Sequence, residues 1–124
     1  FVHEHLDRDD LESALRAGRS ARRRFVVTEG VFSMRGDTPP LAAIDALCER
    51  HDAWWICDEA HSVGLLGPDG AGAVAAQFAA EPPRRLCARI VTGGKSLGLA
   101  GALVVGSEVL REHLVNHARS FLFT

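Results

Sequence analysis

The stretch A-W-W-I-C-D-E-A-H-S-V-G, Ala53 to Gly64, decides how this chain is read. Ala53 to Cys57 is apolar throughout and carries Trp54, Trp55 and Ile56. A short unbroken apolar run of that kind reads as a buried strand rather than a half-exposed, alternating one. It stops at Asp58, and glycines follow at 64, 67, 70 and 72. A buried strand that ends on a charged residue and runs into a glycine-rich loop belongs to an α/β sheet. In such sheets, chemistry gathers beyond the carboxyl ends of the strands.

Working outward, the same grammar repeats. Phe25-Val26-Val27-Thr28-Glu29 is a β-rich run ending at Gly30, and Arg89-Ile90-Val91-Thr92 is another, followed by a Gly93-Gly94-Lys95 turn. Ala102 to Val105 is a fourth. Between them lie helical patterns. Asp9 and Asp10 open a short helix through Leu11 and Leu15 that Gly18 closes. Pro39-Pro40 leads into a helix whose Leu41, Ile44, Leu47 and Cys48 share one face. A small-residue helix runs to about Phe78 and is broken by Glu81-Pro82-Pro83. Ser107 caps a last helix, Glu108 to Arg119. Alternation with short links predicts an α/β sheet covered on both faces. Glu29, Ser33, Asp58, His61, Thr92 and Lys95 all fall just after predicted strand ends. That convergence makes them the candidate site.

The bulk numbers set limits. The 124 residues are 47% hydrophobic and 24% charged, with net charge −2, which fits a globular domain and argues against a broad nucleic-acid or membrane surface. The basic run Arg19 to Arg24 reads as a solvated loop. The three cysteines, Cys48, Cys57 and Cys87, form no C-x-x-C pair and read as buried free thiols, as in the reducing cytoplasm. No apolar run approaches the roughly 20 residues of a membrane span. The chain opens at Phe1 inside what reads as an active segment and closes on an apolar F-L-F before Thr124, so a piece of a longer protein is expected.

Asp58-Glu59-Ala60-His61 is also the signature tetrapeptide of a helicase class, and Gly94-Lys95-Ser96 looks like the end of a phosphate loop. A phosphate loop needs G-x-x-x-x-G-K-[ST], and its first glycine would fall at position 89, which is arginine. The order is wrong as well, because Lys95 follows the acidic box instead of preceding it. Gly67, Gly70 and Gly72 read G-x-x-G-x-G, not the dinucleotide fingerprint. His113 and His117 are spaced for one helix face, but no third ligand or H-E-x-x-H accompanies them, so no metal site is expected. Trp54 and Trp55 read as core.

A different cofactor suits these residues. Pyridoxal phosphate needs a lysine for its aldehyde, a carboxylate facing the pyridine nitrogen, a group at the ring hydroxyl, and hydroxyls or backbone N–H groups for the phosphate. Asp58, at a buried strand end, suits the nitrogen, and His61 lies one turn on. Thr92 can reach the phosphate, while Gly93 and Gly94 let the chain turn so that Lys95 points inward.

Four stretches carry a resemblance: T-E-G-V-F-S-M-R-G-D-T-P-P-L (Thr28 to Leu41), D-E-A-H-S-V-G-L-L-G-P-D-G-A-G (Asp58 to Gly72), T-G-G-K-S-L-G (Thr92 to Gly98) and N-H-A-R-S-F-L-F-T (Asn116 to Thr124). In order and spacing they resemble the α-oxoamine synthases, fold-type-I pyridoxal-phosphate enzymes that join an amino acid to an acyl-CoA with loss of CO₂. The resemblance implies part of a large domain, three-layer αβα with a mostly parallel sheet. It makes Lys95 the Schiff-base lysine, pairs Asp58 with the pyridine nitrogen, puts His61 and Ser33 at the ring and its hydroxyl, and puts Thr92 at the phosphate. Glu29 falls in the same pocket without a settled role. The final stretch, with Arg119 and Phe121, is most similar to the 8-amino-7-oxononanoate synthases, which make a biotin precursor from alanine and a pimeloyl thioester on CoA or a carrier protein.

The resemblance also implies a homodimer whose partner subunit completes the site, and a longer chain on both sides of this one. Two departures stand out: Arg35 lies where the family has aspartate within Ser33 to Asp37, and His3-Glu4-His5 replaces His-Asn-Asp. Glycine C-acetyltransferase, 5-aminolevulinate synthase and serine palmitoyltransferase-type activities remain alternatives, as do another fold-type-I enzyme such as an aminotransferase or a carbon–sulfur lyase and a non-catalytic domain that kept the fold.

Overall fold

A computed structural model describes residues 1–118. Its four strands are β1 (Phe25–Glu29), β2 (Trp54–Asp58), β3 (Leu86–Thr92) and β4 (Ala102–Gly106), in the order β1-β2-β3-β4. β1, β2 and β3 are parallel, and β4 runs antiparallel to β3. The helices are α1 (Arg8–Ala17), α2 (Leu41–Arg50), α3 (Ala73–Gln77) and α4 (Glu108–His117). The β3–β4 connection is a nine-residue link (93–101) whose ends are joined by Gly93 N–H donating to the Gly101 carbonyl at 2.8 Å. So short a link cannot make a parallel crossover, and the last strand is antiparallel for that reason.

Element boundaries differ from the sequence reading in a few places. Asp7, not Asp9, caps α1: its side chain accepts from the N–H groups of Asp9 and Asp10, which occupy the first turn. β2 starts at Trp54 because Ala53 still bonds back to the Cys48 carbonyl. β3 begins three residues earlier than Arg89. Ser107 does cap α4, accepting from Leu110 N–H. Arg119, Phe121 and the rest of the last quoted stretch beyond Ala118 lie outside the described residues.

The core lies on one face of the sheet. Val26, Trp55 and Cys57 point there, against Leu11 and Leu15 of α1, Leu41, Ile44, Leu47 and Cys48 of α2, and Val74 of α3. The other face carries Phe25, Val27, Trp54 and Val104. Val27 is 68% exposed and Trp54 39%. The described residues leave this face largely uncovered. Trp54 therefore does not join Trp55 in the core; the Arg85 guanidinium lies over its ring at 5.2 Å. Cys48 and Cys57 are buried as expected, whereas Cys87 is half-buried.

Two acidic residues fasten the helices. Glu12 of α1 accepts from Arg16, from Arg50 at the end of α2 and from His51 just beyond it. The hydrogen bonds from His51 and Arg16 hold its carboxyl down at about 2. Asp45 is buried within α2, and its carboxylate accepts from Trp55 Nε1 at 2.7 Å, Arg84 N–H at 3.0 Å and Arg85 N–H at 2.8 Å. One charge thus locks α2 to β2 and to the segment entering β3.

Asp45→Ala leaves those donors without an acceptor inside the fold. Urea unfolding of the full-length protein is expected to show a loss of about 3 kcal/mol or more, and Asp45→Asn a smaller loss. Glu12 gives a pH-dependent counterpart. Its folded carboxyl lies below the ordinary 4.5, so its contribution is complete above that value and fades as pH falls toward about 2. The stability difference between Glu12→Gln and the unaltered protein is expected to shrink across that window in acid titrations.

Candidate functional site

Parallel register brings the strand ends to one edge. Glu29 pairs with Asp58, and Asp58 pairs with Ile90, two residues before Thr92. Side chains alternate along a strand, so Glu29 and Asp58 share the face opposite the apolar core. Gly30 N–H donates to the Asp58 carbonyl at 2.7 Å, continuing the pairing past the strand ends.

Asp58 is half-buried, and its Oδ1 accepts from Ala60 N–H at 2.8 Å, a local turn that fixes the carboxylate while leaving its other oxygen available. His61 follows in that turn, half-buried, and among the described residues its ring has no hydrogen-bond partner. Glu29 accepts from Ser33 N–H at 3.3 Å, so the carboxylate orders the loop carrying Ser33, whose own side chain is exposed. Next in that loop, Asp37 accepts from His5 Nε2 at 2.9 Å, so the unusual His3-Glu4-His5 opening packs against it. Arg35 is exposed and lies in the turn closed by Gly36 N–H on the Phe32 carbonyl.

Thr92 ends β3, and its Oγ1 is buried with no partner among the described residues. A buried hydroxyl without a partner costs free energy unless something else meets it. Lys95 sits three residues on in the β3–β4 turn and is exposed. Two contacts set this turn. Gly93 lies against the backbone, since a Cβ there would come 2.7 Å from the Leu99 carbonyl oxygen. Ser96 Oγ donates to the Val63 carbonyl, tying the lysine turn to the loop that follows His61. Gly64, in the left-handed region at φ +85°, allows that approach: a Cβ there would lie 2.7 Å from Ser96 Cβ. Loop, lysine turn and strand ends of the sequence-predicted set are therefore gathered at one edge, with Ser33 reaching it through Glu29.

Sequence reasoning missed the residue that organises the interior side of this edge. Glu59 follows Asp58 and, by strand alternation, points to the opposite face, where it is fully buried. Its Oε1 accepts from Arg89 Nε at 2.8 Å and Val74 N–H at 3.3 Å; its Oε2 accepts from Ala73 N–H at 2.7 Å and from Ser62 Oγ. Arg89 also donates to the Ala71 carbonyl. The arginine that breaks the phosphate-loop pattern is thus the partner of the second acid in the Asp-Glu pair. The available signal was the arginine itself, charged inside an otherwise apolar strand. His113 and His117 stack on exposed α4 with ring centroids 4.3 Å apart, well removed in sequence from any of these groups.

Residues 2–124 match the family described as aminotransferase class I and II. An 8-amino-7-oxononanoate synthase of Burkholderia mallei strain SAVP1 is 45% identical over 123 residues, 99% of this chain and 30% of that protein. The chain therefore spans about 30% of the length of the curated relatives it matches. Among solved structures, a Sphingomonas wittichii serine palmitoyltransferase superposes with TM-score 0.87 at 30% identity, covering 98% of this chain and 30% of that one. A serine palmitoyltransferase solved with pyridoxal phosphate gives 0.86 at 34%, over 98% and 30%. An 8-amino-7-oxononanoate synthase from Francisella tularensis gives 0.76 at 29%, over 96% and 32%.

The thiols give a direct check of this packing. Burial pushes Cys57 up to about 12, with the Glu59 charge adding to it, and burial likewise raises Cys48 to about 12. The thiolate is the reactive form, so neither alkylates readily at neutral pH. Iodoacetamide on the folded full-length protein is expected to modify Cys87 first and to reach Cys48 and Cys57 only after denaturant is added.

Proposed function

The chain belongs to the aminotransferase class I and II family, and from that premise we propose that it is part of a pyridoxal-phosphate-dependent α-oxoamine synthase. The reaction condenses an amino acid with an acyl thioester and releases CO₂ and the free thiol carrier. By likeness to the Burkholderia synthase, the amino acid is L-alanine and the acyl group pimeloyl, giving a biotin precursor. The observation that carries the reading is Thr92 Oγ1, buried and without a partner among the described residues, at the strand end that leads to Lys95. A phosphate oxygen supplies the acceptor that this hydroxyl lacks.

When bound, pyridoxal phosphate supplies an electron sink that stabilises negative charge at the amino acid's α-carbon. The chain's residues prepare that chemistry. Thr92 Oγ1 would donate to the phosphate. Asp58, held by Ala60 N–H, would face the pyridine nitrogen and keep a proton there. His61 would hold the ring hydroxyl, with Ser33, on the loop that Glu29 orders, as a second group for it. Lys95 would hold the cofactor through its amine and, once displaced from it, would serve as the base that moves the proton at the α-carbon. The exposed sheet face and the share of the relatives that is covered support a further part of this reading. This chain is the central portion of a large domain, and the rest of the site comes from a longer protein and a second subunit. Activity belongs to that assembly in the cytoplasm, not to these residues alone.

Serine palmitoyltransferase-type chemistry is the second reading, favoured by the higher structural similarity to those enzymes. Product analysis on the full-length protein separates the two: alanine with a pimeloyl thioester against serine with palmitoyl-CoA. Release of free CoA without transamination excludes an aminotransferase.

Borohydride reduction of the cofactor-loaded full-length protein is expected to leave a pyridoxyl mass on the peptide containing Lys95; a folded protein without that label overturns the reading. Lys95→Ala is expected to lower turnover at least ~10³-fold, and Asp58→Asn to lower it severely, by analogy with other general acid–base groups. Thr92→Val is expected to weaken cofactor binding roughly 10- to 100-fold, read by equilibrium dialysis, with little effect on the stability of the apoprotein.

A further inference from the structure

We propose that Glu59 is a positioning residue for the site, holding Asp58, His61 and the Lys95-bearing strand in one rigid frame; this rests on the reading of the site given above. The two acids of Asp58-Glu59 divide between the faces of the sheet. Asp58 looks toward the site edge, half-buried, and Glu59 looks into the interior with no exposure. Glu59 takes donors from three separate segments. Ser62 belongs to the turn that carries His61. Ala73 and Val74 open α3, at the far end of the glycine loop that begins at Gly64. Arg89 belongs to β3, which ends at Thr92 and continues into the Lys95 turn. One carboxylate therefore joins the Asp58–His61 turn to the strand that presents Thr92 and Lys95.

The surroundings are shaped around it. Gly72 has φ +101°, and a Cβ there would collide with the Glu59 carboxylate. A Cβ on Gly30, just past the β1 end, would lie 2.7 Å from Ser62 Oγ. The carboxylate is charge-matched by Arg89 and saturated by N–H and O–H donors, so it is a tolerated buried charge and not an empty ligand site. Loosening it keeps the Asp58 carboxylate attached to its own turn but leaves that turn joined to the Lys95 side only by Ser96 Oγ on the Val63 carbonyl and by the Glu59 N–H on the Ile90 carbonyl. Small displacements of groups around a reacting centre change rate and affinity well beyond their effect on folding.

The test is Glu59→Gln in the full-length protein, with Asp45→Asn as the comparison, since Asp45 is a buried acid that fastens α2 to the sheet away from the site edge. Glu59→Gln keeps the shape but presents an amide N–H₂ to donors. It is expected to raise the cofactor dissociation constant at least tenfold, to shift the pH at which the bound cofactor's absorption band changes, and to lower kcat more than it raises KM. Asp45→Asn, at a similar loss of melting temperature, is expected to change none of these more than twofold. Where Glu59→Gln does not fold, Ser62→Ala removes a single donor and is expected to move the dissociation constant and absorption profile in the same direction, about threefold.

Equal effects from Glu59→Gln and Asp45→Asn overturn the proposal, as does an unchanged cofactor profile in both Glu59→Gln and Ser62→Ala. A full-length unaltered protein that binds no pyridoxal phosphate overturns the site reading itself, and this proposal with it.

Discussion

Parallel pairing of β1, β2 and β3 in the register Glu29–Asp58 and Asp58–Ile90 is the constraint from which the site follows. In a parallel sheet the strands end together, and the loops that leave them must all turn over the same edge. Residues distant along the chain are thereby placed side by side without any direct bond between them. The short β3–β4 link then folds back antiparallel and holds the lysine turn against that edge, where Ser96 meets the Val63 carbonyl.

Burying charge is costly, and among the described residues it happens at Asp45 and Glu59, each met by several donors. Asp45 accepts from an indole and two backbone amides; Glu59 accepts from a guanidinium, a hydroxyl and two backbone amides. Apolar packing is non-directional and would allow α2 or the glycine loop to slide over the sheet. A carboxylate that must find each of its donors allows one position only. The core of Leu41, Leu47, Trp55 and Cys57 supplies the bulk of the burial, and the two acids select the register within it. The exposed Val27 and Val104 on the other face show that this selection does not depend on that face being covered.

The Asp-Glu pair that invites a helicase reading serves here as two separate devices. Adjacent strand residues face opposite ways, so the pair cannot converge on one ion while the strand geometry persists through it. The same fact explains why Arg89, out of place in a phosphate loop, is in place here: its register partner is Cys57, two residues before Glu59 and on the same face.

The strands were legible in sequence because apolar and β-branched runs have few alternatives, and Phe25–Glu29 was bounded as the structure has it. The helix faces of Leu11, Leu15, Leu41, Ile44, Leu47 and Cys48 were legible by their spacing. So were the candidate residues Asp58, His61, Thr92 and Lys95, because each follows a strand end at a motif-like interval. Trp54 misled, since an apolar run does not reveal which face of its sheet remains open. Asp7 was missed as the α1 cap because Asp9 and Asp10 offered an equally good local pattern. Glu59, Ser62, Arg89 and Asp45 depended on contacts between segments far apart in the chain. By itself, then, the sequence determined the elements, their order and the chemistry-bearing side chains, all set by local periodicity and residue type. Only the tertiary structure decided which acid faces the site, which is locked inside, and which hydroxyl is left without a partner. Those outcomes depend on strand register and on which donors the packed neighbours bring, and neither is encoded within any one stretch.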